Sequence, residues 1–162
     1  MALTIHRGHL PGAIGRVAEL HGIYYHREAG FGAFFEAKVA RELGDFCEHY
    51  EAERDGLWLA LADDRIEGSI TIDGSHAATR GAHLRWFITS DAVRGTGTGH
   101  ALLAAAIEFC GQRRYTKVYL STFAGLDAAR HLYEKFGFRL AQQQSGRQWG
   151  REVDEQRFEW RA

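Results

Sequence analysis

Proline occurs once in this chain, at Pro11, and cysteine twice, at Cys47 and Cys110. Each cysteine falls on the apolar side of a helical pattern, so two reduced core thiols are expected rather than a disulfide. The nine histidines form no His-x-x-x-His pair and are joined by no Cys-x-x-Cys. His6 with His9, and His21 with His26, are spaced awkwardly for one coordination sphere, so no metal is expected. Charge of either sign is not in excess: 20 Lys and Arg against 21 Asp and Glu leave a formal net charge of −1. That argues against a broad nucleic-acid footprint, which is normally basic. The start, Met1-Ala2-Leu3-Thr4-Ile5-His6, has no signal-peptide organisation. The longest unbroken apolar run, Ala101 to Ile107, is far too short to span a bilayer. The chain therefore reads as cytoplasmic, with neither nucleic acid nor membrane as a partner. No repeat, low-complexity tract or long linker interrupts it.

Glycine is what the chain does have, and its densest run is Arg94-Gly95-Thr96-Gly97-Thr98-Gly99-His100. The run lies between a strand-like segment, Ala82 to Thr89, and a helix-like one, Ala101 to Cys110. A glycine-rich turn that opens a helix surrounds an anion with backbone N–H groups and the positive end of the helix dipole. Alternate glycines remove the Cβ atoms that would hold a phosphate away. Arg94 adds a planar donor fork suited to phosphate oxygens. A nucleoside-triphosphate loop would end in Gly-Lys-Ser/Thr, whereas this one ends Gly99-His100-Ala101. A dinucleotide fingerprint needs Gly-x-Gly-x-x-Gly and an acid about twenty residues on. Here the spacing is Gly-x-Gly-x-Gly, and Lys117 to Thr122 ends without a carboxylate. Both common nucleotide readings fail.

Arg-x-x-Gly-x-Gly, carried by Arg94, Gly97 and Gly99, resembles the acetyl-CoA pyrophosphate loop of the GNAT superfamily of N-acyltransferases. A second segment, Leu126 to Phe138, is similar to the family's penultimate helix with its Tyr-Glu-x-x-Gly-Phe ending. The two occur in the family's order with a strand between them, and the resemblance covers roughly Ala82 to Leu140. A further likeness is to GNAT domains fused behind MarR-type winged-helix regulators. Tyr25-His26-Arg27-Glu28-Ala29-Gly30 and the pair Leu84-Arg85 carry it. This chain has no winged helix, so no DNA-binding role is inherited.

Periodicity supplies the architecture. Leu3 to His6 reads as a short strand, and Pro11-Gly12 turns into a helix marked by Ile14, Val17, Ala18, His21, Tyr24 and Tyr25. Gly30 and Gly32 interrupt it, and Phe35, Val39, Leu43, Phe46 and Tyr50 mark a second helix. Leu57 to Ala62 and Glu67 to Ile72 form a hairpin across Asp63-Asp64. In the next strand Leu84, Trp86 and Ile88 face one way, and His83, Arg85 and Phe87 the other. The helix after the glycine run stops near Gly111, and Asp127 is placed to cap the following one. Strands near Phe138–Gln142 and Asp154–Trp160 follow, joined by a loop over Ser145–Arg151. Strands in groups with helices around them give an α/β domain with a mixed sheet, and the resemblance implies one GNAT-like domain, 1–162, whose sheet is mostly antiparallel, twisted and flanked by about four helices.

The resemblance implies N-acetyl transfer from acetyl-CoA to a primary amine, directly and without a covalent acyl-enzyme. An alkylammonium, with a pKa of about 10.4, must lose a proton before attack, charge then builds on the carbonyl oxygen, and the thiolate takes up a proton. The family meets the second demand with main-chain N–H at a splayed strand end, here Phe87-Ile88-Thr89. The cofactor loop implied is Arg94, Gly95, Thr96, Gly97, Thr98 and Gly99. Tyr133 matches the tyrosine that protonates the leaving thiolate, although its place on an apolar stripe equally suits a core residue. Leu126 stands where many relatives carry a cofactor-contacting asparagine, and Ser121 where some carry a glutamate base. No base transfers by motif. Glu28 and His26, beside Tyr25 in the region that lines acceptor sites in the family, are alternatives to ordered water. Arg85, in an otherwise apolar strand, needs a partner. Either an internal carboxylate supplies it or a substrate carboxylate does. Trp149 either covers the site or is a surface aromatic. Homodimers are common among similar proteins, so a second copy is an expected partner beside a small amine. The rival from another class is a non-catalytic acyl-CoA sensor.

Overall fold

The computed structural model describes residues 2–162. Seven strands form one sheet: β1 (Leu3–Arg7), β2 (Gly56–Ala62), β3 (Arg65–Asp73), β4 (Ala82–Thr89), β5 (Lys117–Phe123), β6 (Arg139–Gly146) and β7 (Val153–Arg161). Four α-helices accompany them: α1 (Ala13–Ala29), α2 (Ala33–Glu48), α3 (Thr98–Gln112) and α4 (Asp127–Lys135). The strand order is β1-β2-β3-β4-β5-β7-β6. Among the described residues only β4 and β5 run parallel; every other neighbouring pair is antiparallel. The mixed, mostly antiparallel sheet with four helices is the architecture expected.

Turn chemistry sets several of these boundaries. Asp63 and Asp64, with φ of 50° and 64°, make the consecutive left-handed pair of a tight hairpin between β2 and β3. Gly30 ends α1 at φ 69°, and its N–H bonds the His26 carbonyl. Gly97, at φ 83°, starts α3 at Thr98, earlier than the apolar run from Ala101 suggested. That helix runs through Gly111 to Gln112. Asp127 is the first residue of α4 and caps nothing, because Leu126 holds the cap position without a side-chain bond. β6 extends to Gly146, so the connection to β7 is shorter than expected.

The sheet separates two apolar cores. Successive residues of β2 alternate between them: Trp58 and Ala60 join Leu102, Leu103 and Phe109 of α3, while Leu57 and Leu59 join Val17 of α1 and Phe35 of α2. Cys110 is buried in the first core and Cys47 packs against the second, both as free thiols.

β4 breaks its own alternation. Its pairing with β3 slips between Ser69 and Thr71, and Trp86 takes a left-handed conformation at φ 49°. This bulge is held by two hydroxyls of β3: Ser69 Oγ donates to the Trp86 carbonyl (2.7 Å) and Thr71 Oγ1 to the Arg85 carbonyl (3.0 Å). The expectation that Leu84, Trp86 and Ile88 share a face fails here. Leu84 and Phe87 pack with the α3 core, whereas Trp86 packs with the α1–α2 core. The bend also parts β4 from β5, which pair only at Ala82–Val118 and His83–Tyr119.

Candidate active site

The glycine run forms an open cradle. Ser90 begins it, accepting from the Ala92 N–H to cap a single 3₁₀ turn, Asp91–Val93. Buried Glu67 holds Ser90 in place: its carboxylate accepts from the Ser90 hydroxyl and its carbonyl from the Ser90 N–H (2.7 Å). Arg16 of α1 pairs with the same carboxylate at 2.6 Å. Beyond the turn, Gly95 and Gly97 lie at φ 76° and 83°, a region that disfavours any residue with a Cβ. No side chain caps α3, so the first-turn N–H groups of Thr98, Gly99 and His100 project toward the opening without an intrahelical acceptor. A Cβ added at Gly95 or Gly97 would meet nothing within 4 Å. Thr96 and Thr98 bond each other through their hydroxyls at 2.6 Å. Arg94, 58% exposed, stands at the rim and shares Asp91 with Arg27, at 2.8 and 3.0 Å. The arrangement fits a diphosphate held by main-chain donors and the helix dipole.

Where β4 and β5 part, a cleft of about 150 Å³ runs between them, lined from both cores. Phe87 links it to the cradle: a Cβ on Gly99 would sit 3.5 Å from its ring, and Phe87 itself lines the cleft. Tyr133 enters from α4, its ring 5.9 Å from those of both Phe87 and Phe138. Burial pushes its phenol well above the usual range, so it stays protonated and can donate. Tyr25 enters from α1 among Phe31, Phe35 and Phe123, and burial raises its phenol likewise. Trp149 forms part of the wall, 5.6 Å from Phe123 between ring centroids. Its loop is tied to α1 by Arg151, which donates to the Ala29 carbonyl (3.1 Å).

The far wall is charged. Arg85 pairs with Glu42 of α2, and Lys38, one turn earlier, pairs with the same carboxylate. The internal carboxylate is therefore real, but it does not bury Arg85: both partners remain partly exposed and line the cleft. Burial works to raise the Glu42 carboxyl, yet the bonds and charges of Lys38 and Arg85 outweigh it and hold it below the ordinary range. His83 stacks on Tyr119 (4.4 Å) and is pushed down to about 3, first by burial and then by the Arg85 charge. His21, 4% exposed, is pushed down to about 4 by burial, against a 2.8 Å bond between its Nδ1 and the Val17 carbonyl.

Thus the fold brings Tyr25, Arg85, Phe87 and Tyr133 to one cleft. Glu28 is elsewhere, exposed at the end of α1 and 3.7 Å from Arg27. His26 turns Nδ1 to the Phe31 carbonyl on the outer side of the α1–α2 pair. Sequence reasoning passed over His21, Lys38, Glu42 and His83. The available signal was a histidine on the apolar stripe of α1 and a Lys-x-x-x-Glu pair on α2.

The acetyltransferase (GNAT) family matches residues 20–138. The human N-acetylaspartate synthetase is 28% identical over 72% of this chain and 38% of its own length, and the rat protein is 28% identical over 72% and 39%. The chain thus spans about two-fifths of the curated relatives it matches. Among solved structures, an acetyltransferase from Streptococcus agalactiae superposes with a TM-score of 0.75 at 19% identity, over 99% of this chain and 98% of that one. The Salmonella typhimurium yncA protein, solved with its cofactor acetyl-CoA, gives 0.77 at 14% identity, over 99% and 94%. The ribosomal-protein-alanine N-acetyltransferase of Brucella melitensis gives 0.77 at 16%, over 98% and 99%.

Proposed function

This chain belongs to the acetyltransferase (GNAT) family, and on that premise we propose that it moves an acetyl group from acetyl-CoA directly to the primary amine of a small, carboxylate-bearing molecule. The observation that carries the reading is the junction at Phe87. There an uncapped, glycine-lined helix start meets a cleft that holds both a protonated phenol and a partly exposed arginine. The cradle of Gly95 to Gly99, with Arg94 at its rim, takes the diphosphate of acetyl-CoA. Its pantetheine arm follows the gap between β4 and β5, where the main chain of Phe87-Ile88-Thr89 has no strand partner on the β5 side. Those backbone groups stabilise charge on the carbonyl oxygen. Tyr133 gives the departing thiolate its proton.

The acceptor enters from the α1–α2 face. Lys38 and Arg85 outnumber Glu42 on that wall, so a carboxylate is attracted there and an acceptor that is purely cationic is not. Tyr25 of α1 lines the cleft on the same face. The name of the synthetase relatives specifies an acetylated amino dicarboxylate, which supports aspartate as the first acceptor to try. The same reading takes 1–162 as one domain acting in the cytoplasm as a homodimer. Tyr25 to Gly30 and Leu84-Arg85 support kinship with the GNAT domains of MarR-type fusions.

Titration calorimetry with acetyl-CoA, followed by thiol release with L-aspartate, glycine and carboxylate-free amines, tests this directly. Binding with thiol release confined to the carboxylated amines is the expected result. Binding without turnover across the panel identifies an acyl-CoA sensor instead. No binding of acetyl-CoA overturns the reading.

A further inference from the structure

We propose that His21 takes the proton from the acceptor nitrogen through Nε2, while Tyr133, reached through the gap between β4 and β5, gives one to the sulfur. This rests on the acetyl-transfer reading and assigns the base that the family motifs leave open.

The backbone of α1 fixes the tautomer of His21. His21 Nδ1 lies 2.8 Å from the Val17 carbonyl, which can only accept, so Nδ1 carries the proton and the neutral ring keeps its lone pair on Nε2. Among the described residues nothing bonds Nε2. Every polar side-chain atom sealed from solvent among those residues does have a partner. Nε2 is therefore not sealed, although the residue is only 4% exposed, and it opens on the cleft whose wall the ring forms. The same holds for the hydroxyl of Tyr133, which is 7% exposed, lines the same cleft and bonds nothing among the described residues. One buried acceptor and one buried donor, both unpartnered, thus line a single cleft from opposite faces of the sheet.

The other titratable groups are less suited. Glu42 is bound by two cations and is a poor base. His83 lies where β4 and β5 are still paired, and protonating it would place a second cation beside Arg85. Glu28 and His26 do not line the cleft. The groups around His21 in the cleft are Lys38 and Glu42 from α2, Arg85 from β4, Tyr25 from its own helix and Tyr133 from α4. The two cations pair with Glu42, and burial keeps the imidazole neutral and able to accept.

The step balances. The amine enters unprotonated, its proton having gone to solvent, and its lone pair forms a bond to the thioester carbon. The nitrogen becomes positively charged and far more acidic than an ammonium, so a weakly basic imidazole suffices. Nε2 takes that proton, the C–S bond breaks, and the Tyr133 hydroxyl protonates the sulfur. Water in the cleft carries the imidazolium proton back to the phenolate. Amide and thiol leave, and no net proton is gained.

Wild type, His21→Ala and His21→Gln are compared with acetyl-CoA and L-aspartate. In both variants kcat should fall by about 100-fold or more with acetyl-CoA affinity unchanged. Added imidazole should restore rate to His21→Ala, where it can occupy the vacated space, and not to His21→Gln. An undiminished kcat in the glutamine variant overturns the proposal, even if the alanine variant fails to fold. If the wild type turns over no amine, the transferase reading fails by itself. The His21 nitrogen resonances then decide: Nε2 shifting on addition of L-aspartate supports the contact, and an unmoved signal overturns it.

Discussion

Arg85 and Trp86 are consecutive in the chain and stacked in space, the guanidinium carbon lying 4.1 Å from the centre of the indole ring. In a regular strand they would point to opposite faces. The left-handed backbone at Trp86 puts both on the α1–α2 side, where Arg85 meets Glu42 and Trp86 enters the core beside Phe46, 5.6 Å away. One bulge thus builds the charged wall and opens the gap beside it.

Substitutions at Trp86 should separate packing from backbone strain. Trp86→Ala removes a buried indole but keeps a residue with a Cβ at positive φ, and should cost about 3–5 kcal/mol. Trp86→Gly loses the same packing while relieving about 1 kcal/mol of left-handed strain. Urea unfolding should therefore rank glycine above alanine. The reverse order would mean that the bulge is not strained.

Arg85→Ala should act on the acceptor and leave acetyl-CoA alone. Loss of a charged hydrogen bond predicts a rise of about tenfold or more in the KM for L-aspartate. The KM for acetyl-CoA should not change, nor should any rate seen with a carboxylate-free amine. Arg85→Lys should fall between, because an ammonium cannot replace a planar fork. Equal effects on both kinds of amine would assign Arg85 to the wall's internal pairing alone.

Gly97→Ala should weaken the cradle in two ways. At φ 83° the new side chain strains the start of α3, costing about 1–2 kcal/mol. Its Cβ also intrudes on space that is otherwise open at the loop. Calorimetry should show acetyl-CoA affinity falling by about tenfold or more, a loss of the size one charged hydrogen bond supplies. Unchanged affinity would move the phosphate site elsewhere.

Stability should fall with acidity through His21. Its folded pKa, about 4, lies below the ordinary 6.5, so the unfolded chain binds the extra proton in between. Nothing is lost above pH 6.5, and stability drops as pH falls from there toward 4, by about 3 kcal/mol in all. Denaturation at stepped pH should show this slope, and His21→Gln should flatten it by roughly one proton. His83, lowered to about 3, adds a similar slope that the variant retains.

The glycine run, the hairpin at Asp63-Asp64 and the amphipathic helices were legible because each is written in a few neighbouring residues. The bulge was not. Leu84 through Thr89 still alternate between buried and half-buried, so a change of face leaves no mismatch in the pattern. Trp86 switches from one apolar core to another, and hydrophobic periodicity cannot tell two buried faces apart. The acceptor wall was hidden for a different reason. Lys38 and Glu42 are an ordinary helix pair until Arg85, 43 residues later than Glu42, is folded against them. His21 passed as one more member of an apolar stripe, and only its bond to Val17 shows which nitrogen is left free.

Because the sheet keeps its two apolar cores apart, the site is assembled from halves that can change separately. Tyr133 and Leu102 of α3 belong to one core; Tyr25 packs against the other, with Phe35 of α2 inside it. Recombining α1 and α2 from a relative of different specificity should therefore redirect the chemistry to another amine while the donor is gripped as before. The reverse exchange, of α3 and its leading loop, should alter the grip and leave the choice of amine intact. The two inheritances must agree at the slit between β4 and β5, and at the pairs Arg16–Glu67 and Arg27–Asp91 by which α1 steadies the loop.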